Sequence, residues 1–307
     1  MSTLLPIRPR PAPEEALDSY LERVATANGV TTSGLVRQLT AEAAAPLRFT
    51  NIAPPPPIMD VLASWTGADP GLLQDCLLTR YPIIPIIDSQ NRHATRSLVA
   101  HGWVLLNRSQ ACPWCLAETG VWKISWRLAW VTACLDHGRL LATDCPGCQK
   151  PLRTTDHGVL RPSGPGSICG NPRPQGQGKR CPFDLSRISP PSVPSPVLQQ
   201  QRRVERALRG ADVDLDGHSV DGTVYLQLVQ ALAAGVLGRP TSAQATLSRA
   251  ADHVPWTRPG AVIRARPAPR PARLRASAGV QIDQILALYS LPISLAAGSR
   301  GRPATRQ

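Results

Sequence analysis

The chain of 307 residues is long enough for two or three domains, and 34 Lys and Arg against 21 Asp and Glu give it a formal net charge of +13. That balance points to a polyanionic partner, nucleic acid first, although the use of only three lysines beside 31 arginines also reflects the codon bias of a GC-rich genome. No stretch approaches the roughly 18 apolar residues of a membrane span, and the N-terminal MSTLLPIRPRPAPEEALDSY has no apolar run of export-signal length, so a soluble, cytoplasmic protein without membrane partners is expected.

Taken in chain order, residues 1–105 read as helical. In PEEALDSYLERVATANGV, Leu17, Tyr20, Leu21 and Val24 recur at helical spacing, Glu14 and Glu15 suit a first turn, and Asn28-Gly29 supplies the stop. A second helix is expected from about Ser33 through GLVRQLTAEA. After Pro54 to Pro57, the segment IMDVLASWTGADPGLLQDCLLTRY repeats the plan: Gly67 ends a helix, Asp69 caps the next, Pro70 takes its first position, and Leu72, Leu73 and Leu77 form its apolar face. ATANGVTTSGL and ASWTGADPGLL are therefore two helix-turn-helix candidates. Arg37 and Gln38 are the base-reading groups the first could offer. Both second helices are otherwise poor in such groups, which favours helical packing or a protein-binding surface.

Residues 106–188 read as a double zinc module with small ribbon or knuckle β elements. Cys112 and Cys115, Cys134 and His137, and Cys145 and Cys148 are each separated by two residues, the spacing at which a tight turn aims two side chains at one ion. Disulfides would need an oxidising compartment, and a catalytic dithiol would need a single C-x-x-C beside a βαβ pattern. With Cys169 and Cys181 the donors number eight, enough for two zinc ions per chain. A sequential partition joins Cys112, Cys115, Cys134 and His137 at one ion and Cys145, Cys148, Cys169 and Cys181 at the other; an interleaved cross-brace stays open. Closed four-ligand sites are structural, and the H-x-E of zinc deaminases is absent, so no enzyme is expected. Cys76, in GLLQDCLL, reads as a small buried hydrophobe.

Between the first two donor pairs, Trp122, Trp126 and Trp130 fall four residues apart and would share one helix face, better suited to core packing than to base stacking. Arg127, on the same expected helix, would pair with an acid or reach a phosphate.

The C-terminal region, 189–290, opens on SPPSVPSP, a linker or stiff extended connection. Three helices, in VLQQQRRVERALRG, DGTVYLQLVQALAAGVLG and QIDQILALYSLP, would make a small bundle. Between Asp252 and Asp283 no acid occurs, whereas Arg258, Arg264, Arg266, Arg270, Arg273 and Arg275 accumulate among prolines. Residues 258–275 thus form a basic, semi-rigid arm whose Arg264, Arg266, Arg270 and Arg273 are candidate phosphate contacts. Residues 291–307 read as a disordered tail.

The order of parts resembles the TniQ family of transposition proteins, which includes TnsD-like target selectors. The likeness rests on LPIRPRPAPEEALDSYLERVATANG, the first C-P-x-C, WRLAWVTACLDHGRLL and the second C-P-x-C, and spans roughly residues 4 to 185. It implies a non-catalytic accessory that helps select a target and recruits an AAA+ ATPase of the TnsC/TniB kind. It also implies zinc at Cys112, Cys115, Cys134, His137, Cys145 and Cys148; eleven residues separate Cys169 from Cys181, where relatives often carry a tight knuckle. The implied partners are DNA and the ATPase, with an RNA-guided effector complex and a homodimer left open. A zinc-ribbon or helix-turn-helix transcription regulator is the alternative reading.

Overall fold

The computed structural model describes residues 4–237, other than 89, 90, 92, 96, 97, 99–101, 155–159, 174–179 and 216, and gives the backbone alone for 231–237. The expected third C-terminal helix, the arm carrying Arg264, Arg266, Arg270 and Arg273, and the 291–307 tail lie outside the described residues. The described residues divide into two compact units, with the border between Ser192 and Val193. The helices of 1–105 and the cysteine-rich segment 106–188 lie in the same unit.

The first helix, α1 (Leu17–Ala27), is unusual in being buried almost all round, with Leu17, Asp18, Ser19, Tyr20, Leu21, Glu22, Val24 and Ala25 inside. Its apolar stripe is the one the spacing predicts. Its start is not: Glu14 sits in a turn at φ 58°, and Glu15 forms a β-bridge with Lys123, so neither acid occupies the first turn. The backbone of this segment is claimed by that pairing, since Ile124 N donates to Glu14 O at 2.7 Å and Ala16 N to Trp122 O at 2.8 Å. At the other end Asn28 caps the helix and Gly29, at φ 66°, turns the chain.

Helix α2 (Thr32–Glu42) begins at Thr31, whose hydroxyl accepts from Gly34 N at 3.1 Å, and it buries Leu35 and Leu39 against α1. Arg37 and Gln38 lie on its exposed face. Helix α3 (Pro56–Thr66) buries Ile58, Leu62 and Trp65 and ends at Gly67, φ 64°. Helix α4 (Pro70–Gln74) starts as expected, with the Asp69 carboxylate accepting from Gly71 N at 2.7 Å. It runs for only five residues, and Leu72 is 44% exposed while Leu73 and Leu77 are buried. Adjacent residues point about 100° apart on a helix, so Leu72 and Leu73 cannot both face one core. Leu17, Tyr20, Leu21, Leu35, Leu39, Ile58, Leu62 and Leu73 belong to one apolar cluster that binds these helices.

Helix α5 (Pro113–Thr119) follows, then a single 3-10 turn over Ile124–Arg127. The tryptophan helix expected here does not form. Lys123 and Leu128 are extended, and Leu105 N and Ala129 N bond to Arg127 O and Trp103 O, so the segment pairs with 103–105 instead of coiling on itself. Trp122 and Trp126 meet edge to face at 5.8 Å, while Trp130 packs on Trp103 at 5.3 Å. A two-residue hairpin, β1 (Ala133–Cys134) with β2 (Arg139–Leu140), closes over Gly138 at φ 58°. Part of the supposed linker extends it, since Leu140 N donates to Pro191 O at 3.1 Å and Arg139 bridges Ser192. Prolines keep their carbonyls, so a proline-rich strand can still accept at a sheet edge.

The second unit contains α6 (Ser195–Leu208), an antiparallel pair β3 (Val213–Leu215) and β4 (His218–Val220), and α7 (Gly222–Leu237), with α6 packed on α7. The hairpin was missed in the sequence, although VDLDGHSV carries its signal: alternating Val and Leu around Asp-Gly.

Candidate metal centres

The eight donors assemble into two groups of four: Cys112, Cys115, Cys134 and His137, and separately Cys145, Cys148, Cys169 and Cys181, all ligand atoms of a group lying within 4.8 Å of one another. This is the sequential partition, and the interleaved cross-brace does not describe the geometry. In the first group α5 holds Cys115 near its start, with Cys112 at its N-cap, while β1 and the hairpin turn carry Cys134 and His137. His137 Nδ1 lies 3.5 Å from Cys112 Sγ, 3.4 Å from Cys115 Sγ and 3.5 Å from Cys134 Sγ, and Cys115 and Cys134 are 3.6 Å apart. In the second, Cys145 and Cys181 are 3.8 Å apart, as are Cys148 and Cys169.

These separations test whether a metal fits. Four ligands at Zn–S of about 2.3 Å and Zn–N of about 2.0 Å place tetrahedral sulfurs about 3.8 Å apart and sulfur–nitrogen pairs about 3.5 Å apart. A disulfide would need about 2.05 Å. Both groups fit a tetrahedral ion and neither contains a bridge. The local backbone is shaped for this: Gly138 follows His137, Gly170 follows Cys169 at φ 61°, and Gln149 takes φ 55° directly after Cys148. Gly147, inside the second C-P-x-C, has Phe183 against it so closely that an added Cβ would lie 2.6 Å from the Phe183 Cβ.

Beyond the donors, His137 Nε2 lies 3.0 Å from Glu118 Oε1, which fixes the ring with Nδ1 toward the sulfurs. Asn171, fully buried, donates through Nδ2 to Cys148 Sγ at 3.7 Å and to Pro151 O at 2.9 Å. Its Oδ1 accepts from Arg161 Nη2 at 2.9 Å. Cys76 is buried apart from both groups, and burial pushes its thiol up to about 12.

The feature that sequence reasoning missed lies between the second centre and α1. Asp18 and Glu22, four residues apart on α1, accept from three buried arginines. Arg127 Nη2 donates to Asp18 Oδ2 at 2.6 Å, Arg153 Nη1 to the same oxygen at 2.9 Å, and Arg153 grips Glu22 with Nη1 to Oε1 at 2.9 Å and Nη2 to Oε2 at 2.6 Å. Arg161 joins through its backbone, N to Glu22 Oε1 at 2.6 Å. The Arg153 guanidinium also stacks 4.3 Å from the Trp122 ring centroid. Arg127 is therefore not a phosphate contact: it is 4% exposed and committed to Asp18. Burial alone would raise Asp18, yet Arg153 and Arg127 outweigh it and hold that carboxyl below the ordinary range. Burial wins at Glu22 and lifts it, against the pull of Arg153. Burial, and then the like charge of Arg153, lower Arg161 to about 10. The sequence signal was Asp18 and Glu22 flanking the apolar stripe Leu17–Leu21, which a solvated helix face would also explain.

A tight loop completes this face. Trp122 Nε1 donates to Gly166 O at 2.8 Å and Gly164 N to Thr26 Oγ1 at 2.8 Å, and a Cβ on Gly166 would sit 1.7 Å from the Gly120 carbonyl oxygen.

No curated protein matches the chain. Residues 6–141 match the family model TniQ, a segment that covers α1 to α4, the whole first Cys/His group and the β1–β2 hairpin.

Proposed function

We propose that the protein is a non-catalytic accessory of a transposition system that takes part in target-site selection. In this reading it brings the system's AAA+ ATPase to target DNA or to a target-recognition complex, an RNA-guided one included. The observation that carries the reading is the TniQ match over residues 6–141.

Zinc is the proposed ion at both groups, because thiolate and imidazole donors at tetrahedral spacing suit it. Cys112, Cys115, Cys134 and His137 would hold one ion and Cys145, Cys148, Cys169 and Cys181 the other. Four protein ligands fill a tetrahedral ion, so each would cross-link the chain and activate no water. The donors come from separate short elements, α5, the hairpin and the knuckle turns, which bury little apolar surface of their own. Metal ligation would supply the stability that a small core does not.

DNA is the proposed partner of the basic charge. On α2, the exposed Arg37 and Gln38 face solvent and are available for contact. Arg264, Arg266, Arg270 and Arg273 are proposed to touch DNA backbone, which positions a protein without reading sequence. The experiment is co-sedimentation of the purified ATPase with target DNA, with and without this chain. The chain should raise the recruited ATPase, and a variant with Arg264, Arg266, Arg270 and Arg273 all changed to Ala should bind every DNA sequence more weakly and with a flatter salt dependence. ATPase loading that is indifferent to the chain overturns the adaptor role.

A further inference from the structure

We propose that Asn171 is an outer-sphere residue of the second metal centre, and that the buried chain Arg161–Glu22–Arg153–Asp18 makes metal occupancy there and the seating of α1 mutually dependent. The inference rests on the reading of Cys145, Cys148, Cys169 and Cys181 as metal ligands.

The charge of the centre comes first. Four thiolates around a divalent ion leave a double negative charge, against a single one for the three-thiolate, one-imidazole group. Placed among mostly buried sulfurs, that excess needs N–H donors and a nearby cation. Asn171 supplies the donor: its Nδ2 faces Cys148 Sγ at 3.7 Å from a side chain with no solvent exposure. Its other end is held by the Arg161 guanidinium at 2.9 Å, so the amide is polarised toward the sulfur by a positive charge behind it. Pro151 O takes the second N–H, which fixes the amide plane and leaves one orientation.

The second step leads from Arg161 to α1. Arg161 N bonds Glu22, Glu22 grips Arg153 with both oxygens, and Arg153 reaches Asp18. Each member is 7% exposed or less, so water cannot stand in for a partner that moves away. A charged group left without its partner costs more than an exposed one, and loss of the ion at one end weakens the seat of α1 at the other. By linkage the dependence is reciprocal: whatever unseats α1 lowers affinity at the second centre.

The test uses the full chain loaded with zinc or with cobalt. Wild type must first bind two ions; a single ion overturns the metal reading itself. Given two, N171A should weaken one of them by about 10- to 100-fold in competition with a chromophoric chelator and leave the other unchanged. It should also shift the thiolate-to-cobalt charge-transfer band, which a purely structural residue would not move. N171S, which keeps a shorter donor, should fall between the two and serves if N171A does not fold. For the coupling, amide exchange over residues 17–27 is compared between zinc-loaded wild type and Cys148→Ser: faster exchange is expected. E22Q, with Asn171 intact, should weaken the same ion as N171A. An unchanged competition curve or cobalt band in N171A overturns the outer-sphere role, and unchanged α1 exchange in Cys148→Ser overturns the coupling.

Discussion

The first Cys/His group gathers its donors from residues 112–137, through one short helix and one hairpin, and its outer contact, Glu118, is 62% exposed at the side chain. The second draws on residues 145–181, and its outer contact, Asn171, is fully buried and tied to α1 through a network of arginines and acids. One centre is closed by local turns, the other by the packing of the whole unit. Stability should therefore respond differently to damage at the two, and the contrast can be broken in stages.

The largest effect is expected from metal removal. Ligation in small zinc modules is worth on the order of 10 kcal/mol, so chelation of both ions should unfold the cysteine-rich segment. Exchange of α1 amides should rise with it. A Cys115→Ser variant, damaging only the first centre, should leave α1 protected, and Cys148→Ser should not; equal loss in both would erase the distinction drawn here.

Next comes the network. Asp18→Asn removes one charge from a buried cluster and should cost about 3–5 kcal/mol in urea unfolding, because Arg127 and Arg153 keep their charges without it. The pH dependence has a fixed sign. Asp18 is depressed in the fold, so its contribution is present above the ordinary carboxylate range near 4 and fades as pH falls through the lower folded value. Glu22 is raised, so its share runs the opposite way, with stability gained as pH falls through the raised folded value toward 4. The gap between wild type and Asp18→Asn should be widest near neutrality and narrow on acidification; a constant gap would mean that the Asp18 charge is not what the substitution removes.

Gly166→Ala should cost about 1–3 kcal/mol, since its Cβ meets a backbone carbonyl that cannot swing away. Thermal melts should detect it as a lowered midpoint. The smallest effect belongs to Thr31→Ala, which removes the α2 cap for about 1 kcal/mol and, with no donor residue touched, should not alter metal content.

Much of this was legible in the residues alone. The stops and caps at Asn28-Gly29, Gly67 and Asp69 act within one turn of chain, so their chemistry specifies the helix ends wherever the segment packs. The pairs with two residues between partners, beginning at Cys112, Cys134 and Cys145, likewise carry their own geometry, and the family likeness followed from their order. Tryptophans four residues apart satisfied the helical period equally well, yet the segment became a 3-10 turn between extended residues because its backbone pairs with 103–105. Period alone cannot weigh that competition, which depends on a strand partner roughly 25 residues upstream.

What the sequence determined by itself is thus the local chemistry: helix ends, donor pairs, the surplus of arginine and the likeness to the TniQ family over residues 6–141. Which donors share an ion, and which acids and arginines are buried together, only the tertiary structure decided. Arg153 and Glu22 are 131 residues apart, and Arg161 and Glu22 139. An acid on a helix reads the same in sequence whether it faces water or a guanidinium. The cost of burying it is offset only by a partner that folding brings in from elsewhere in the chain.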